Sequence, residues 1–250
     1  MKNPLNPEIS KLRLAYDREA HAQLGDEDAQ FALGLSYADK ESPKHNYKKA
    51  AYWFQLAAQN EHAAAQCELG HLFSNGQGVR EDLNEAIKWW QLSGENGNPL
   101  AQTICGAIAR SEENYPEAVR WFQLAAEQGS HLGQYELSIE YERGLGVEKD
   151  IKKAFYWCKL AAEQGYPEAE STLSWFYRDG EVVASDHSES FRWCRRAAEK
   201  GQADAQYYLG NAYFSGSGVR KSIIEAKKWW QLACEQGHQG ANFALYPPED

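Results

Sequence analysis

The chain has 250 residues, 43% hydrophobic and 25% charged, which is enough apolar material for a packed core and excludes a disordered chain. With 26 Lys and Arg against 36 Asp and Glu it carries −10 at neutral pH, which excludes the broad positive surface of a nucleic-acid or anionic-membrane binder. A mean hydropathy of −0.70, with no apolar run near the ~18 residues of a membrane helix, excludes a span. The first ten residues hold no apolar core, so no secretory signal is expected. Five scattered cysteines without a CxxC pair fit a reducing compartment, and a cytoplasmic location is the expectation.

In chain order, residues 11–25, ending in Ala22-x-x-Gly25, read as a lone capping helix within an N-terminal piece spanning 1–27. Self-similarity then takes over. The segment Ala29-Gln30-Phe31-Ala32-Leu33-Gly34 returns with starts at 65, 101, 133, 169, 205 and 241, a spacing of 36 residues except for 32 between the third and fourth. A second signature follows in phase: Ala50-x-x-Trp53-Phe54-Gln55-Leu56, with its Trp again at Trp89, Trp121, Trp157, Trp193 and Trp229. These copies define repeats over 28–63, 64–99, 100–131 (short), 132–167, 168–203 and 204–239, then a truncated helix and tail over 240–250.

Each repeat reads as two helices. In the first, unit positions 1, 5 and 9 line one face, as in Ala205, Leu209 and Tyr213. The second carries the Trp stripe, expected in the core, and ends at Gly97, Gly129, Gly165, Gly201 or Gly237. Between them Gly76-Gln77-Gly78-Val79 recurs as Gly144 to Val147 and Gly216 to Val219, a tight loop with the valine as anchor, and Asp82 and Asp150 sit where an N-cap belongs. The first loop lacks both glycines and the fifth, Gly180-Glu181-Val182-Val183, lacks one. The short third repeat predicts a local change of curvature near residues 106–118.

Little here points to chemistry. Gly216 to Ser222 lacks Walker spacing and a preceding strand, so it is a repeat loop rather than a phosphate cradle. Cys67 and His71 stand i, i+4 on one helix, but two residues make neither a metal site nor a catalytic one. The other histidines fall mostly at turns and are expected at the surface. Glu136, Glu140 and Glu142 read as a solvated face. No cofactor or metal is expected.

Together, Ala-x-x-x-Leu-Gly-x-x-Tyr, Gly-x-Gly-Val, Lys-Ala-x-x-Trp and Ala-Ala-Glu-Gln-Gly resemble the Sel1-like repeat, a relative of the tetratricopeptide repeat, across roughly residues 28–246. The resemblance implies an all-α fold, a right-handed superhelix of stacked antiparallel helix pairs, and a non-enzymatic scaffold or adaptor that binds a protein or peptide partner along its concave face. Some extracellular members of that family pair two cysteines within each unit; here one cysteine falls in each of repeats two to six. The resemblance also admits an immunity protein that neutralises a basic toxic effector and, more remotely, a β-lactam-binding or β-lactam-hydrolysing enzyme. A monomer or weak dimer is expected.

If positions 1, 5 and 9 face the partner helix, then positions 3, 7, 10 and 11 face away and form the groove. They vary from repeat to repeat, as a discriminating surface must. The candidate partner-binding residues are Tyr135, Ile139, Glu142, Arg143, Trp175, Arg178, Tyr207, Asn211 and Phe214, rich in aromatic and Arg side chains of the kind that anchor interfaces.

Overall fold

The computed structural model describes residues 19–246; residues 1–18 of the expected cap and 247–250 of the tail lie outside the described residues. The described residues form helices and turns, with no strand among them. The chain divides into two compact units, 1–113 and 114–250. In the first, residues 19–23 are helical (α1), followed by α2 (Glu27–Ala38), α3 (Tyr47–Gln59), α4 (Ala63–Asn75), α5 (Leu83–Glu95) and α6 (Pro99–Ser111). The second holds α7 (Tyr115–Glu127), α8 (His131–Arg143), α9 (Ile151–Glu163), α10 (Pro167–Asp179), α11 (His187–Glu199), α12 (Ala203–Ser215), α13 (Ile223–Glu235) and α14 (Gln239–Leu245). Within each unit, from α2 onward, every helix packs on the next, so the architecture is the stacked helix pairs of an α-solenoid. Even-numbered helices from α2 onward are the first of each repeat and odd-numbered ones the second.

Local chemistry sets the helix ends. Asp82 accepts from the Glu85 amide at 3.1 Å, and Asp150 accepts from the Lys152 and Lys153 amides at 3.0 Å, capping α5 and α9 as the sequence predicts. His62 and His238, expected at the surface, are instead half-buried caps. The Nδ1 atom of each accepts a backbone amide at 3.1 Å, and their rings lie 4.5 Å from those of Phe31 and Tyr207. The loop glycines divide the labour. Gly76 is left-handed at φ +65° and closes α4, whereas Gly78, at φ +74°, lies so near the preceding repeat that a Cβ would fall on the Tyr47 carbonyl. Gly146 and Gly218 meet Tyr115 and His187 in the same way. Gly78→Ala is therefore expected to destabilise by more than about 2 kcal/mol, combining backbone strain with a clash. Gly97→Ala, at φ +87° with open space around it, should carry only the ~1–2 kcal/mol of strain, and urea titration of both variants separates the two terms.

The tryptophan stripe carries less of the core than the periodicity predicts. Trp121 and Trp193 are buried, but Trp53, Trp89, Trp157 and Trp229 are only half-buried. The deeper slot is the next residue, about 100° further round the helix, where Phe54, Trp90, Phe122, Cys158, Cys194 and Trp230 are all buried. Its large members need a bare backbone opposite them. A Cβ on Gly34 would strike Phe54, one on Gly70 would strike Trp90, and one on Gly210 would strike Trp230. In the fourth and fifth repeats the pairing shrinks to Ser138 with Cys158 and Ser174 with Cys194. These two thiols donate to the carbonyls of Ala169 and Ala205 in the following repeat, at 3.4 and 3.3 Å.

Position 2 supplies a buried polar clasp. The Nε2 atoms of Gln30, Gln66, Gln102, Gln134 and Gln206 donate to the carbonyls of Ala22, Ala58, Gly94, Ala126 and Ala198, each eight residues back, at 3.0–3.3 Å. The Oε1 atoms of Gln66, Gln134 and Gln206 accept from Asn96, Gln164 and Gln236 of the second helix thirty residues on, at 2.8–3.0 Å. Each clasp thus satisfies a helix-terminal carbonyl and stitches one repeat to the next. In the fifth repeat Glu170 replaces the glutamine and is fully buried, with Lys200 Nζ at 2.8 Å and Arg196 at 2.9 Å from its Oε1. Glu140 also departs from expectation: it is fully buried rather than solvated, because position 8 faces inward, as Leu72 does in the second repeat. Glu136 is half-buried and Glu142 exposed.

Candidate functional site

The second unit contains three clefts that share one residue. The first, about 260 Å³, is lined by Ser174, Trp175 and Arg178 of α10, by His187, Ser190, Phe191 and Cys194 of α11, and by Tyr208, Asn211, Ala212, Ser215 and Ser217. The second, also about 260 Å³, lies between Tyr135, the α10 residues Glu168, Ser171, Thr172 and Trp175, and the start of α12 at Gln202 and Asp204. The third, about 90 Å³, is bounded by Glu142, Ile151, Thr172, Trp175, Phe176, Asp179 and Glu181. Trp175 stands at the junction of all three and is 39% exposed.

Sequence and packing explain why α10 presents it. Ala169 and Leu173 are fully buried against the core of the repeat, which turns position 7 of the same helix outward. The indole then meets the Tyr208 ring edge-on at 5.2 Å. The Arg178 guanidinium lies 5.3 Å from the Trp175 ring centre and 5.9 Å from that of Tyr208, and its Nε donates to Asp179 at 2.8 Å. An ion pair and two aromatic rings thereby fix a long side chain that would otherwise be free.

The first cleft lies where the next repeat carries an aromatic side chain. In the sixth repeat Trp230 fills the slot, packing on Gly210, donating to Asn211 Oδ1 at 3.0 Å and lying 5.5 Å from Phe214. One period earlier those positions are Cys194, Ser174, Trp175 and Arg178, all four of which line the opening. A cysteine in place of tryptophan leaves the wall set back, and Ser190 and Ala212 add no bulk.

Of the residues expected to bind a partner, Trp175, Arg178 and Asn211 line the first cleft, Tyr135 and Trp175 the second, and Glu142 and Trp175 the third. Ile139, Arg143, Tyr207 and Phe214 line none of these three. Tyr207 is half-buried and stacks on His238, and Phe214 leans on Trp230 with Lys221 above it at 5.4 Å. His187, Ser190, Phe191, Cys194 and Tyr208 enter the first cleft without having been anticipated. The readable signal for them was the joint exchange of Trp for Cys and Gly for Ser, which the fourth and fifth repeats share.

The rival chemistry finds little footing. Cys67 Sγ and His71 Nε2 are 3.7 Å apart, but burial, aided by Glu68 and Cys105, pushes the thiol up to about 12, so it stays protonated at neutral pH. Burial likewise pushes Cys194 up to about 12. All five cysteines are free thiols. Among the described residues no group of three or more His, Cys, Asp or Glu could hold a metal ion, and no helix is long and apolar enough to cross a membrane.

Comparison with known proteins bears on the fold and the repeat. The Sel1 repeat matches at residues 27–62, 63–98, 106–130, 131–166, 167–202 and 203–238, with the third match shorter than the rest. The structure of a protective antigen present in uropathogenic Escherichia coli strains, with an SLR fold, is 31% identical with a TM-score of 0.82, over 92% of this chain. This chain spans only half (50%) of that protein's length. A Sel1 repeat protein from Oxalobacter formigenes is 29% identical with a TM-score of 0.78, covering 85% of this chain and 89% of its own. An immunity protein from Pseudomonas aeruginosa shares the fold at 19% identity and a TM-score of 0.52, over 89% of this chain and 83% of its own. No curated protein sequence matches. With six matches along most of its length, the chain belongs to the Sel1 repeat family, α-solenoids that generally serve as protein-interaction scaffolds.

Proposed function

We propose that this chain is a non-enzymatic protein-interaction module whose docking surface is the face of α8, α10 and α12 centred on Trp175. The observation that carries this reading is the convergence of three clefts on one partly exposed tryptophan, held by Arg178 and Tyr208 on a frame of buried Ala, Leu and Gln. A rigid aromatic next to an Arg, at the centre of a concave surface, is the composition of an interface anchor. Affinity capture from the native cell with the wild-type chain and the Trp175→Ala/Arg178→Ala variant tests it. Affinity for the captured partner is expected to fall by ~30-fold or more, about 2 kcal/mol, with helical content and melting intact. A partner that binds the folded variant equally well sinks the reading.

The net charge of −10 favours one specialised form of it, an antidote that neutralises a basic toxic protein. Its signature is an association rate that falls steeply with salt, together with loss of the partner's toxicity on binding.

A further inference from the structure

The docking surface itself has a charge pattern, and this inference rests on the reading of Trp175 as its centre. The second and third clefts share Thr172 and Trp175 as a common wall. The second carries the carboxylates of Glu168 and Asp204, and the third those of Glu142, Asp179 and Glu181. Neither contains a Lys or Arg. Arg178 opens into the first cleft and is already held by Asp179 at 2.8 Å, and Asp204 lies 3.2 Å from His238 Nε2 while remaining largely exposed.

Of these carboxylates, Glu168 stands beside two half-buried phenols. Tyr166, which hydrogen-bonds with Glu168, is pushed up to about 12, first by burial and then by Glu168 and Glu136. Tyr135 is raised too, again by burial first, with Glu136 and Glu168 adding to it. The aromatic surface between the carboxylates accepts a cation: Arg178 already lies over the Trp175 ring and Tyr208.

We propose that this groove takes a Lys- or Arg-bearing segment of a partner polypeptide, its apolar stems against Trp175 and its cationic heads paired with Glu142 and Glu181 on one side and Glu168 and Asp204 on the other. Carboxylates on both flanks of an apolar wall suit an extended chain whose basic residues are spaced across it. The same charges repel nucleic acid and anionic lipid, so the cationic partner is a protein.

Three fluorescein-labelled peptides of equal length, identical except for Lys and Arg, Gln or Glu at alternate positions, provide the test by anisotropy titration against the full chain. The basic peptide is expected to bind about tenfold tighter than the Gln peptide, the Glu peptide weakest, and the basic affinity should fall with rising salt. Trp175→Ala should reduce it about tenfold. Glu142→Gln with Glu181→Gln, both at exposed sites that leave packing unchanged, should reduce it several-fold. A Gln or Glu peptide that binds as tightly as the basic one, and still depends on Trp175, overturns the charge preference while the docking reading stands. Basic-peptide binding insensitive to both variants overturns the inference as mere attraction to an acidic chain. Binding of none of the three also overturns it, and the docking reading is then decided by the partner-capture experiment alone.

Discussion

Replacing Lys200 by Met and Arg196 by Leu together is expected to destabilise the second unit by about 3–5 kcal/mol, and adding Glu170→Gln is expected to restore most of it. Glu170 is fully buried, and its Oε1 carries both cations, at 2.8 and 2.9 Å, while Oε2 has no hydrogen-bond partner. The two cations are themselves half-exposed, so their own pairing energy is modest. The large term is the carboxylate left behind, a charge in low dielectric with neither water nor counter-ion. Glutamine removes that charge and returns the repeat to the arrangement of its sisters, with an Nε2 placed to donate to the Ala162 carbonyl eight residues back, as Gln134 and Gln206 do to Ala126 and Ala198. Urea denaturation of the double and triple variants is the measurement. A double variant within about 1 kcal/mol of wild type, or a triple variant no better than the double, shows that Glu170 is solvated or paired otherwise. Because Lys200 also donates to the Gly165 carbonyl at 2.6 Å, the clasp ties the end of α11 both to the turn preceding α10 and to α10 itself, the helix that presents Trp175. Losing it should loosen the candidate surface before it unfolds the chain.

The repeat made most of the fold legible. A period of 36 residues carries its own phase, so one reading of helix, loop and helix applies to every copy, and the caps at Asp82 and Asp150 and the terminating glycines follow from it. Three features escaped for physical reasons. Periodicity puts both the stripe at Trp53, Trp157 and Trp229 and the slot after it in the core, yet burial depends on direction, and only the slot faces inward throughout, even where Cys158 fills it. No local pattern marks the recurring glutamine as buried, because the carbonyl that satisfies it lies eight residues back across a helix–helix turn. Glu140 misled in the same way: a charged residue on an inward position cannot be told from a surface one until the neighbouring helices are in place. On the candidate surface, Trp175 and Arg178 stood out as an aromatic and an Arg, the types that anchor interfaces, at positions that vary between repeats. The cleft beside them depends on atoms that are absent, and a missing volume shows only when Cys194 and Ser174 are compared together with Trp230 and Gly210.

That missing volume can be put back. Ser174→Gly with Cys194→Trp builds into the fifth repeat the pair that the second and sixth carry, and it is expected to weaken partner binding strongly while leaving the fold at least as stable. The sixth repeat shows where the new indole goes: Trp230 lies on Gly210 with its Nε1 reaching Asn211 and its ring near Phe214, so a tryptophan at 194 lies on position 174 and reaches towards Trp175 and Arg178. It therefore occupies the cleft of about 260 Å³ from its floor upward. Glycine within α10 costs about 1 kcal/mol, and burying a large aromatic where a cavity stood contributes about 1.5–3 kcal/mol, so the balance favours the filled variant. Affinity should fall by more than about tenfold, because a partner side chain now meets the indole instead of a recess. Ser174→Gly alone is the control: it leaves the cleft open, should lower stability by about 1 kcal/mol and should leave affinity unchanged. If the filled variant binds as the wild type does, the first cleft takes no part in docking, and the partner's contacts lie wholly on the acidic side of Trp175. If it binds less well but is also less stable than the glycine control, the slot of the fifth repeat has closed around Cys194 and the equivalence with Trp230 fails.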